Sequence, residues 1–276
     1  MQQKLKRAMG AIQGVKIPDM PKEVLELQQE LNHKFPNTQN IVHIIQQNTK
    51  LSGEVLRIAN SKAMRLKTPA TGIKDAVDAL GFVNLQNLVL AAALKNIFSA
   101  DSTFTEILEH SIDVAYCAAE LSDWVDGISR DQAYLLGLFH NGGAMMLASK
   151  LGKDYAKLFS QSLSNPISVI ATEEEKLDTN HCMVGVLLGQ KWRLPVDMLS
   201  AIMLHHNASC SRIQQDRVRA MVAILKISNA IVSEVSLGAY CGQEGRDYLQ
   251  DGIDELMMDS DVVADIRRGL MTNNVA

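Results

Sequence analysis

Cysteine is scarce and its spacing builds nothing: Cys117, Cys182, Cys210 and Cys241 are scattered over 276 positions with no C-x-x-C pair. This excludes the dense disulfide framework of small secreted domains and reads as reduced, buried, inert thiols of a cytoplasmic protein. Aromatic residues are only 5% of the chain, and no segment alternates convincingly with period two, so a β-sheet has no support. No uninterrupted apolar run reaches the roughly eighteen residues that a membrane helix needs. The longest candidate, Leu85 to Leu94, is broken by Gln86 and Asn87. The basic N-terminus, Met1 to Arg7, has no apolar segment behind it, so a secretory signal is not expected. Excess positive charge is missing too: 27 Lys and Arg against 31 Asp and Glu leave a net charge of -4. There is no bulk attraction for nucleic acid, and the local cluster Arg57, Lys62, Arg65 and Lys67 reads as solvated surface.

What is present suits helices. Thirteen methionines supplement abundant Leu, Ala, Ile and Val, and apolar residues recur at spacings of three and four. Thr38 is expected to cap a helix burying Ile41, Ile44 and Ile45, Ser52 one presenting Val55, Leu56 and Ala59, and Thr71 one carrying Ile73, Ala76, Val77 and Leu80 to a stop at Gly81. Asn84 opens the next. Further helices are expected from Thr105 toward Trp124 and over 131–148, 168–176, 180–192, 196–205, 214–234 and 261–269. The expectation is an all-α, two-lobed multi-helix bundle: an N-terminal helical extension (1–16), an N-terminal lobe (17–101), a helical core (102–235) and a C-terminal extension (236–276). No low-complexity linker divides the chain.

Five of the seven histidines lie from residue 110 onward, at His110, His140, His181, His205 and His206, inside or at the edge of expected apolar helices. One helix presents only residues three or four apart on a face, so a metal held in a bundle interior needs ligands from several helices. These five come from four.

The order His110, His140-Asn141, His181, His205-His206 and Asn229 is similar to that of HD-superfamily metal-dependent phosphohydrolases. The closer resemblance is to the HDOD family, the HD-related output domains of bacterial signalling proteins. It rests on Ile17-Pro18-Asp19-Met20-Pro21, Leu56-Arg57-Ile58-Ala59-Asn60-Ser61, Ala76-Val77-Asp78-Ala79-Leu80-Gly81 and His110-Ser111. It continues through Gly137-Leu138-Phe139-His140-Asn141, His181-Cys182-Met183-Val184-Gly185, Trp192-Arg193-Leu194-Pro195 and Ile202-Met203-Leu204-His205-His206, and covers roughly residues 17 to 235. The resemblance implies an HD-like helical core and a metal pocket at His110, His140, Asn141, His181, His205, His206 and Asn229. Asn60-Ser61 and Trp192 to Pro195 read as architectural.

The chemistry of that pocket is depleted. A catalytic HD site has Asp where this chain has Asn141 and Asn229, so two negative charges that would offset a divalent cation are absent, and Ala144 stands where related hydrolases often carry Lys. Imidazoles can still hold Zn, Ni or Fe, but no cofactor is required and no carboxylate is assigned to activate water. Asp113 and Glu174 are the carboxylates that could approach in space. Adjacent helical residues point about 100 degrees apart, so Cys182 is not expected to ligate together with His181. The expected function is a non-catalytic signal-transduction module acting through a protein partner. The alternatives are a metal-dependent phosphohydrolase acting on a nucleotide or phosphate ester, and a small-ligand sensor using the vestigial pocket.

Overall fold

Every regular element among the residues that the computed structural model describes, 1–237 and 242–273, is helical, as the spacing predicts. Cys241 lies outside them. The N-terminal part comprises α1 (Gln2–Ala11), α2 (Lys22–Leu31), α3 (Thr38–Gln46), α4 (Thr49–Ala59) and α5 (Ile73–Phe98). The remainder comprises α6 (Thr105–Leu121), α7 (Arg130–Phe139), α8 (Gly142–Leu151), α9 (Lys153–Ser162), α10 (Ser168–Leu177), α11 (His181–Lys191), α12 (Val196–Leu204), α13 (Asp216–Leu237), α14 (Gln243–Leu256) and α15 (Ser260–Asn273). One apolar cluster runs continuously from Ala8 to Ile266, so both parts share a core.

Capping differs from expectation at the first helices. Asn37 Oδ1 accepts from Gln39 N and Asn40 N, and Asn48 Oδ1 accepts from Leu51 N, so these amides stop the backbone before Thr38 and Ser52 are reached. Gly72, not Thr71, stands at the N-terminus of α5, and Gly81, at φ 76° and ψ 170°, divides α5 into two helical stretches where the stop was expected. By length and composition α5 is apolar enough to cross a membrane, although half of its most apolar stretch is buried inside the protein. Leu85, Leu88, Val89 and Ala92 are fully enclosed, where each large side chain stabilises the fold by about 1.5–3 kcal/mol.

The motif residues outside the pocket hold the frame. Asn60 accepts from Ala70 N at 2.7 Å and donates to Ala70 O at 2.9 Å, closing the loop between α4 and α5. Trp192, wholly buried, donates its indole N–H to Pro18 O at 3.1 Å and packs edge-on to Phe139, tying the entry segment to α11. Arg57 and Arg65 of the basic cluster are taken up by Glu54 and by Glu120 and Asp123.

The expected single helix over 131–148 is broken. α7 ends at Phe139 and α8 begins at Gly142, with His140 and Asn141 at the joint. Glycines on either side explain the break. A Cβ on Gly137 would lie 2.5 Å from Ala115 Cα, and one on Gly143 would lie 1.9 Å from His181 O and 2.4 Å from Gly185 N. α7 therefore presses backbone-close on α6, and α8 on α11. One straight helix could not make both approaches, and the joint delivers His140 between His110 and His181.

Candidate functional site

The five imidazoles, from α6, the α7–α8 joint, the start of α11 and the end of α12, form one connected group. Ring centroids lie 6.1 Å apart for His110 and His140, 5.2 Å for His140 and His205, 5.5 Å for His181 and His205, and 4.1 Å for His205 and His206. Asn229, from α13, completes one side: its Oδ1 lies 2.9 Å from His110 Nε2 and 3.1 Å from His140 Nε2. Asn141 stands beside it, buried, with its Oδ1 unpartnered. All seven sequence-expected residues thus converge.

Hydrogen bonds decide where the lone pairs point. His140 donates from Nδ1 to Gly137 O, and His205 from Nδ1 to Ile202 O at 2.7 Å, so the Nε2 of each neutral ring is an acceptor. Burial pushes His110 down to about 4 against the Asn229 bond, and burial with the neighbouring His110 pushes His140 down to about 3. Both rings are neutral near pH 7. The lone pair of His140 Nε2 is satisfied when the amide of Asn229 turns its NH2 toward the two rings, and His110, whose Nδ1 has no partner, meets the second N–H as its Nδ1–H tautomer. A neutral carboxamide then bridges the two rings.

The other side has a different character. Glu173 on α10, fully buried, accepts from both the backbone N and the Nδ1 of His181 at 2.8 Å, and its second oxygen accepts from Tyr155 Oη. Burial disfavours a charged His181, yet Cys182 and Glu173 beside it outweigh burial and move its pKa well up. His206 and His205 move well down through burial and imidazole neighbours. His206 Nε2 lies 3.0 Å from His181 Nε2. Cys182 departs from expectation: its Sγ lies 3.7 Å from His181 Nε2 and 3.7 Å from His205 Nδ1. The helix turn does separate the two Cα–Cβ directions, but the long imidazole of His181, held back by Glu173, returns its Nε2 to the short thiol. Cys117 and Cys210 fit the inert reading, burial pushing each up to about 12.

Sequence reasoning missed Glu173, Tyr155 and Tyr248. Of the carboxylates it named, Asp113 lines a separate surface groove with Arg65 and Trp124, and Glu174 accepts from Asn180 Nδ2 at 2.8 Å at the rim of an outer cavity. Tyr248 of α14 stacks 6.1 Å from His206 and donates to His205 O at 2.6 Å. The cavity over Asn141 and Asn229, bounded also by Phe159, Pro166 and Tyr248, holds about 20 Å³. That is room for a single water.

The HDOD domain model matches residues 17–208. The chain belongs to the HDOD domain family. An uncharacterized protein of Treponema pallidum (strain Nichols) is 26% identical over 197 residues, 69% of this chain and 38% of that protein, so the chain spans about two fifths of that relative. The fold is that of an HDOD domain protein of unknown function from Geobacter sulfurreducens, with a TM-score of 0.71 at 20% identity over 98% of this chain and 97% of the other. It is shared by a candidate phosphohydrolase from Shewanella amazonensis SB2B, with a TM-score of 0.67 at 19% identity over 96% and 93% of the two chains. A candidate signal transduction protein from Marinobacter aquaeolei VT8 also shares it, with a TM-score of 0.66 at 19% identity over 98% and 62%.

Proposed function

We propose that this HDOD protein is a non-catalytic signal-transduction module that acts through contacts with a protein partner, and that its HD-type pocket is degenerate. The observation that carries the reading is Asn229: a neutral amide engages the Nε2 atoms of His110 and His140. A hydrolytic metal centre there would need those lone pairs and an anionic donor to offset the ion's charge. His110, His140, Asn141 and Asn229 supply no anion, so this donor set does not fit a hydrolytic metal centre. The 20 Å³ cavity adds a steric argument, since a phosphate ester has no room beside Asn141.

The convergence of five imidazoles favours a second reading, a metal-dependent phosphohydrolase acting on a nucleotide or phosphate ester. A hydrolysis screen of the purified protein separates them. With Mn²⁺, Zn²⁺, Ni²⁺ or Fe²⁺ supplied, nucleotides, cyclic dinucleotides and simple phosphate diesters should be turned over no faster than by His140→Ala. Robust turnover that disappears in His140→Ala would overturn the first reading in favour of the second.

A further inference from the structure

We propose that His181, Cys182 and His206 form a separate site for a zinc-class cation, beside the amide-filled half of the pocket. The donors have the required spacing. In a tetrahedral zinc centre, with Zn–N near 2.0–2.1 Å and Zn–S near 2.3 Å, neighbouring donor atoms stand roughly 3.3–3.6 Å apart. Here the two Nε2 atoms are 3.0 Å apart and Cys182 Sγ is 3.7 Å from His181 Nε2, and with His205 all donor atoms fall within 4.8 Å of one another. Small side-chain adjustments bring each donor to coordination distance.

The lone pairs also point the right way. Glu173 holds a proton on His181 Nδ1, which leaves Nε2 as the donor and raises its basicity, the arrangement by which a second-sphere carboxylate orients a metal-bound imidazole. With His181 Nδ1–H committed to Glu173, the two Nε2 atoms 3.0 Å apart hold one proton between them, carried by His206 and accepted by the His181 lone pair. A divalent cation bound to both rings and to the thiolate displaces that proton. His205 faces Cys182 with its Nδ1, whose proton is committed to Ile202 O, so that atom offers this site no lone pair.

A fourth position remains for solvent. Cys182 and His206 line a cavity of about 370 Å³ with Asn180, Met203 and Asn207, which gives an ion a route to the site. Imidazole and thiolate donors select Zn²⁺, Co²⁺ or Ni²⁺ over Mg²⁺, Mn²⁺ or Ca²⁺. This choice is opposite to that of a carboxylate-rich centre. The site needs no catalysis, so it stands or falls separately from the proposed function.

The test loads the full-length protein with Zn²⁺ or Co²⁺ salts alone. One ion per chain is expected, with a near-ultraviolet sulfur-to-cobalt charge-transfer band for Co²⁺. Cys182→Ser should abolish that band and weaken binding by at least about tenfold, and His206→Ala should weaken it similarly. X-ray absorption on zinc-loaded wild-type protein needs no variant: one sulfur near 2.3 Å with nitrogen neighbours supports the site, and an all-nitrogen-and-oxygen shell overturns it. Binding that falls with His110→Ala but not with Cys182→Ser would put the ion in the other half and overturn it, as would no binding at all.

Discussion

The side-chain amide of Asn229 lies 3.1 Å from His140 Nε2, on a ring whose only proton is held by Gly137 O. If the amides are what weaken this half of the pocket, then restoring charge should restore affinity. The double substitution Asn141→Asp with Asn229→Asp is expected to tighten Mn²⁺ or Fe²⁺ binding by about tenfold or more, a change of about 1.4 kcal/mol. Calorimetric titration checks it. Equal affinity in wild type and variant would remove charge deficit as the explanation.

Gly143 permits the approach of α8 to α11 on which the convergence of His140 and His181 depends. An added Cβ would meet His181 O at 1.9 Å and Gly185 N at 2.4 Å, both backbone atoms that cannot swing aside. Gly143→Ala should therefore cost about 3 kcal/mol or more in urea unfolding, since overpacking against rigid neighbours destabilises by this order. A near-neutral effect would show that the two helices are not held so closely.

Much of this was legible in sequence. Helical spacing placed α6, α10, α11, α12 and α13 within a few residues of their observed spans, and the family resemblance pointed to His110, His140, Asn141, His181, His205, His206 and Asn229. The joint at His140-Asn141 was not legible, because Gly142-Gly143 reads as a mild helix weakness until α11 is known to lie against it. Glu173 was hidden for a similar reason. It sits among three consecutive glutamates, Glu173, Glu174 and Glu175, and only packing reveals which faces His181. Asn37 and Asn48 were passed over because Thr and Ser cap helices nearly as well, and the choice of capping residue depends on where the chain turns.

Glu54 bonds Lys95 at 2.9 Å and Arg57 at 2.7 Å, linking α4 to α5. Burial alone would raise its carboxyl, but Arg57 and Lys95 prevail and lower it from the ordinary 4.5. A lowered folded-state value means that the unfolded chain takes up the proton first. The stabilisation is complete above pH 4.5 and fades as pH falls through the folded value. Glu54→Gln should cost about 1–3 kcal/mol at neutral pH, and the gap to wild type should close in acid. A gap unchanged between neutral pH and pH 3 would contradict the assignment.

Lys226 is entirely buried, with its ammonium 2.6 Å from Asp251 Oδ2 and 4.9 Å from the Tyr248 ring centre. Asp251→Ala strands that charge and should destabilise by about 3–5 kcal/mol, whereas replacing both partners with apolar residues, Lys226→Met with Asp251→Leu, should recover much of the loss. Thermal unfolding of the three proteins decides it. If the double variant is as unstable as the single, the cost arises from the other bonds of Asp251, to Ser209 and Cys210 N.

The residues matched to the family stop at 208, yet Asn229 and Tyr248, which fill and roof the imidazole nest, come from helices beyond that limit. A recombinant fragment trimmed to the matched span would therefore present bare histidine rings to solvent. Metal uptake by such a fragment that His110→Ala or His140→Ala abolishes would be an artefact of where it was cut, whereas uptake through His181, Cys182 and His206 would not.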